Sequence, residues 1–68
     1  MNDNSFKRIN SGKGKLIYLY IEQAGTVSIT GIKENLHLSL LSVYKYVDCL
    51  EQMGLVKYAS DNEIYVLE

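Results

Sequence analysis

The sequence predicts a small α+β domain, three helices closed by a C-terminal β-hairpin, and three observations predict it. Apolar residues recur at helical spacing in successive stretches ahead of Gly54. Gly25 and Gly54 directly follow the first and last of those stretches, where left-handed helix stops are expected. From Leu55 onward the apolar period shortens to two, with the polar run Ser60-Asp61-Asn62-Glu63 dividing it. Sixty-eight residues, 47% of them hydrophobic, allow one core and no second. Residues 1–12 are expected to form a flexible basic arm and residues 13–68 the folded domain.

In chain order, the arm MNDNSFKRINSG is polar, and its isolated Phe6 and Ile9 are candidates to dock on the body or on a second subunit. The first helix is expected from about Lys13 to Gln23. Ile17, Tyr20, Ile21 and Ala24 follow the i, i+3, i+4, i+7 rule as its buried face, and Leu16 and Leu19 widen the stripe. Thr26-Val27-Ser28-Ile29 alternates polar and apolar, which suits a very short strand or an extended linker. Thr30 is the expected cap of a short second helix that buries Ile32 and Leu36. His37-Leu38 makes a turn, and Ser39 caps a third helix that continues to about Met53. Val43, Val47 and Leu50 are its inward stripe, flanked by Tyr46 and Met53. Val56, Tyr58, Ile64 and Val66 supply the hairpin, with Asp61-Asn62 expected to tolerate positive φ at its tip.

Composition narrows the function classes. A domain this small usually needs a staple, and the lone Cys49 excludes an internal disulfide. One cysteine and one histidine argue against a zinc site, so self-association is the expected staple and a homodimer the expected state. The first fifteen residues are polar and basic, which argues against a secretory signal, and the apolar run Leu16 to Ile21 is far too short for a membrane span. A cytoplasmic, reducing location follows as an expectation. Net charge is -1, but its distribution is uneven. Residues 1–21 set Lys7, Arg8, Lys13 and Lys15 against Asp3 alone, while residues 22–68 set three lysines against seven acids. The basic front can track phosphates or can simply be a solvated start.

The stretch ITGIKENLHLSLLSVYKYVDCLEQMGLVK, Ile29 to Lys57, resembles the core of bacterial and archaeal winged helix-turn-helix regulators, the MarR-like and ArsR-like groups among them. The resemblance is carried by Ile32 and Leu36, the turn at Leu38-Ser39, the stripe Val43, Val47 and Leu50, and the exit from Leu50 through Gly54-Leu55-Val56. It covers about residues 15–67 and does not select a subfamily. The cysteine clusters of metal-sensing ArsR-like members are absent, as are the long extra helices with which MarR-like members dimerise. The resemblance implies a winged helix, with the hairpin as its wing. It also implies a transcription regulator that binds double-stranded DNA with the third helix in the major groove.

On that expectation the outward face of the third helix supplies the site. Lys45 can reach guanine O6 and N7 or a phosphate, Tyr44 and Ser42 can donate to phosphates or base edges, and Leu41 can meet a thymine methyl. Ser39 stands at the start of the same helix, and Lys33, Lys7 and Arg8 are expected to position the protein on phosphates. Asp48 could accept from cytosine N4 but repels phosphate. The alternative is a protein-binding module in which Leu40, Leu41 and Tyr44 form an apolar patch ringed by acids. The wing tip is acidic and is not expected to enter the minor groove. Tyr20 is expected in the core, and Tyr18 and Tyr65 at the surface or in a dimer contact.

No catalytic residue, metal or cofactor is expected. Gly12-Lys13-Gly14 opens a helix rather than following a strand, so it is not a phosphate loop. His37 has no placed carboxylate partner, and Cys49, beside the core stripe, is expected to be buried and inert.

Overall fold

A computed structural model describes residues 7–67, so Phe6 and its expected docking lie outside the described residues. Helices α1 (Gly12–Ala24), α2 (Ile29–Leu36) and α3 (Leu40–Gln52) are joined by three strands, β1 (Thr26–Ser28), β2 (Val56–Tyr58) and β3 (Glu63–Val66). The strands form one antiparallel sheet in the order β1-β3-β2. The first strand, expected as a strand or a linker, is therefore a sheet edge. It pairs Val27 with Ile64, and Ile64 pairs with Tyr58 on its other side. Among the described residues no helix is long and apolar enough to cross a membrane.

Each of these three helices begins on a serine. Ser11 accepts from the Gly14 N–H at 3.2 Å, so α1 begins at Gly12. Ser28 accepts from the Gly31 N–H at 2.9 Å and caps α2 in place of the expected Thr30, which is itself exposed within the helix. The difference comes from the sheet. The Ile29 N–H donates to the Asn62 carbonyl at 2.7 Å, fixing the end of β1 one residue before the helix must start. Ser39 caps α3 as expected.

Helix α3 ends in a Schellman motif. The Leu55 N–H donates to the Leu50 carbonyl at 3.0 Å and the Gly54 N–H to the Glu51 carbonyl at 2.9 Å. Gly54 adopts φ 79°, a region open to glycine and strained for other residues. His37 ends α2 with φ 57° and is the one non-glycine residue at positive φ among those described. Asp61 and Asn62 consequently close the hairpin without positive φ. The loop is held instead by Ala59 N–H to Glu63 carbonyl at 2.7 Å and by a Ser60–Glu63 pair.

Among the described residues the core holds no charged side chain: Ile17 and Ile21 of α1, Ile29 and Ile32 of α2, Val43, Val47 and Leu50 of α3, and Val56 and Ile64 of the sheet are essentially sealed from solvent. Helix α1 departs from expectation in its register. Its buried stripe is Gly14, Ile17, Tyr18 and Ile21, so Tyr18 is core, Tyr20 is half-buried and Ala24 is exposed. Both stripes obey the same spacing rule and share Ile17 and Ile21. The N-terminal one wins because Ile9 packs on Gly14. A Cβ there would come within 3.0 Å of the Ile9 side chain. Tyr65 lies half-buried on the outer face of the sheet.

Ile9 is 4% exposed and belongs to the core although it precedes α1. Ile9→Ala should therefore destabilise the domain by about 2–4 kcal/mol, the range for emptying a buried aliphatic site. Urea unfolding of the two proteins measures it, and a change within about 0.5 kcal/mol would mean the residue is not packed as described.

Candidate nucleic-acid interface

The unit α2–turn–α3 presents one helix outward. Residues 37–39 form the turn, and the Leu38 N–H donates to the Lys33 carbonyl at 3.0 Å, which closes the end of α2. Helix α2 is tied to α1 by Asn35, whose side-chain amide donates to the Tyr20 hydroxyl at 2.7 Å and to the Gly31 carbonyl at 2.9 Å. With Val43, Val47 and Leu50 inward, Leu41, Lys45, Asp48 and Gln52 follow one another along the opposite face, and all four are exposed. Leu41 is the extreme, at 82% exposure, with Leu40 beside it at 46%.

The predicted site residues fall into two groups. The first two turns of α3 gather Ser39, Leu41, Ser42, Tyr44 and Lys45. Ser39 spends its hydroxyl locally, accepting from the Ser42 N–H at 3.1 Å and donating to Ser42 Oγ at 2.9 Å. Tyr44 is half-buried, packs against the core and leans toward the hairpin rather than straight outward. Lys33 is exposed in the last turn of α2. Lys7 and Arg8, both exposed, are not in this group. The Arg8 guanidinium reaches the Met53 carbonyl at 3.4 Å, a long hydrogen bond at the far end of α3, where a cation also suits the helix dipole.

The flanks of α3 carry opposite character. Toward the hairpin lies an open groove of about 580 Å³ lined by Tyr44, Asp48, Tyr58, Ser60 and Asp61. Across it the Tyr58 hydroxyl donates to the Asp48 carboxylate at 2.8 Å. Toward the N-terminal segment lies a smaller pocket of about 160 Å³, lined by apolar Ile9, Leu50 and Met53 and edged by Arg8 and Lys45. The Lys45 ammonium sits 5.6 Å from the centre of the Tyr46 ring, within cation–π range. Cys49 also lines this pocket and is exposed, contrary to expectation: it lies far enough round α3 from Val47 and Leu50 to leave the core. Among the described residues, His, Cys, Asp and Glu nowhere gather as three potential metal ligands.

Sequence reasoning missed the Tyr58–Asp48 bond, because it joins α3 to β2 and depends on how the chain reverses at Gly54. Burial pushes the Tyr58 phenol well above the ordinary tyrosine range, and the bond to Asp48 and the negative potential of Asp48 and Glu51 push it the same way. Comparisons with protein-family models, with curated proteins and with solved structures returned no match.

The raised phenol has a definite pH signature. The folded state holds the Tyr58 proton more tightly than the unfolded chain does, so the stabilising contribution is full below pH about 10 and is lost as pH rises beyond it. Urea midpoints at pH 9 and 11 should fall more for the wild type than for Tyr58→Phe, and equal falls would rule out this linkage.

Proposed function

We propose that the chain is a winged helix-turn-helix transcription regulator that binds double-stranded DNA sequence-specifically, with the first two turns of α3 in the major groove. The observation that carries the reading is the outward face of α3. It projects beyond a three-residue turn from α2, and Leu41 and Lys45 are exposed along it. A helix of 13 residues, roughly 20 Å long, is ample to cross a major groove. Lys45 supplies a contact to guanine or phosphate, Leu41 an apolar contact to a thymine methyl, Ser42 and Tyr44 hydroxyl contacts, and Lys33 a phosphate contact. Asp48, Glu51 and Asp61 repel phosphate, which restricts the footprint to the N-terminal half of α3 and keeps the hairpin out of the minor groove. On this reading Arg8 and Lys7 meet the backbone only beyond the far end of α3.

Reading two half-sites calls for a homodimer, and the outer face of α1 supports one. Leu16 is 48% exposed there, with Leu19 and Tyr20 half-buried beside it. Leu67, 39% exposed at the end of the hairpin, is a further apolar contact available at the surface. A second reading is favoured by Leu40 and Leu41 themselves. Two exposed leucines beside an acidic groove also suit a protein partner with an apolar anchor and a basic rim.

Selection from a pool of random duplexes, at low and near-physiological salt, separates the two. Enrichment of a palindrome with half-sites about one helical turn apart is the expected outcome, and retention at neither salt sends the assignment to the protein partner. On the selected site, Lys45→Ala should weaken binding by about 1–3 kcal/mol if it reads a base. An unchanged affinity removes α3 from the groove.

A further inference from the structure

Lys45 and Asp48 are one turn apart on the same exposed face, at the i, i+3 spacing where opposite charges on a helix ordinarily meet. No ion pair joins them. The Asp48 carboxylate takes the Tyr58 hydroxyl at 2.8 Å, while the Lys45 ammonium is turned the other way, 5.6 Å from the Tyr46 ring. A phenol held on a strand and donating to a carboxylate makes a short, charge-assisted bond, whereas a solvated ion pair between two flexible side chains is weak. Competition for Asp48 thus favours Tyr58. The phenol is itself held in place: Tyr58 pairs with Ile64 across the hairpin and packs its ring against the core.

We propose that Tyr58 is a positioning residue, whose hydroxyl holds the Asp48 carboxylate off Lys45 and leaves that side chain open to a phosphate or a guanine edge. Lys45 is the only basic residue of α3, so its neutralisation would remove the positive charge from the whole exposed face. The hairpin acquires a role it could not have as a minor-groove wing. It acts on DNA affinity from behind, by choosing the partner of an acid. What Lys45 meets rests on the DNA reading above, while the arrangement of Tyr58, Asp48 and Lys45 does not.

A double-mutant cycle tests it, because Tyr58→Phe removes one oxygen and leaves the ring packed. On the selected duplex, Tyr58→Phe should weaken binding about two- to fivefold, as Asp48 swings to Lys45, with a shallower salt dependence. In an Asp48→Asn background the same substitution should have no effect. Equal losses in both backgrounds would mean that the phenol acts by contact or by folding, and would overturn the proposal. Free of DNA, the Tyr58→Phe protein should show a nuclear Overhauser contact between Asp48 Hβ and Lys45 Hε that the wild type lacks. Its absence overturns the proposal as well. If the contact appears while no variant binds duplex, the positioning stands and the DNA reading alone falls.

Discussion

Helix α3 is fixed at both ends and along its inner face, and nearly everything else in the domain takes its position from it. Ser39 pairs the Ser42 N–H in the first turn, and the Schellman bonds at Gly54 pair the Leu50 and Glu51 carbonyls in the last. The reversal at Gly54 does more than stop the helix. It returns Leu55 and Val56 to the same core that Leu50 enters, which sets where β2 begins. The hairpin then places β3 in the middle of the sheet, and β3 in turn captures β1. A side chain at position 54 would strain a residue at φ 79° and disturb helix, sheet and groove together.

Among the described residues the core holds no charged side chain, and apart from the Tyr18 phenol no polar group enters it to act as a register key. Uniqueness must come from shape. Eight of the nine side chains sealed most completely are isoleucine or valine, and such β-branched residues have few rotamers to spare. Burial of each is worth roughly 1.5–3 kcal/mol, against the ordering cost that presses hardest on small domains. Ile9 shows how far the chain goes to enlarge this core, reaching back from ahead of α1 to cover Gly14. The Asn35–Tyr20 and Tyr58–Asp48 hydrogen bonds, which link separate elements, lie at the surface.

Most of the fold was legible because local signals agreed with the global arrangement. The inward stripe of α3, its serine cap and its glycine stop stand in the sequence as they stand in the structure. Tyr18 and Tyr20 were not legible, since two stripes of equal spacing share Ile17 and Ile21 and only the packing of Ile9 chooses between them. The cap of α2 was misplaced for a similar reason: Ser28 and Thr30 are both competent, and a hydrogen bond from Ile29 to a residue 33 positions away decides. Of the candidate site, the face of α3 follows from periodicity, but its division into an acidic and a basic flank does not. That division depends on the hairpin lying beside one flank and residues 8–11 beside the other.

A net charge of -1 bears differently on DNA binding once this division is taken into account. Sequence-blind affinity grows with the number of phosphates neutralised, and so with the number of cations a surface can bring to bear at once. Here Arg8 lies at one end of α3, Lys45 nearer the other and Lys33 on α2, with acids between the hairpin and the helix. Such a surface has little means of holding arbitrary duplex. On the proposed DNA reading, affinity would come from base contacts made by a few residues and from the doubling that a second subunit would provide. Scarcity of positive charge then favours discrimination over retention, and it makes the state of each single cation matter. In a protein with ten lysines on its reading face the partner of one aspartate would be immaterial. With Lys45 alone on α3, the hydroxyl that keeps Asp48 occupied bears directly on whether that ammonium is drawn to a neighbouring acid or left to an outside partner.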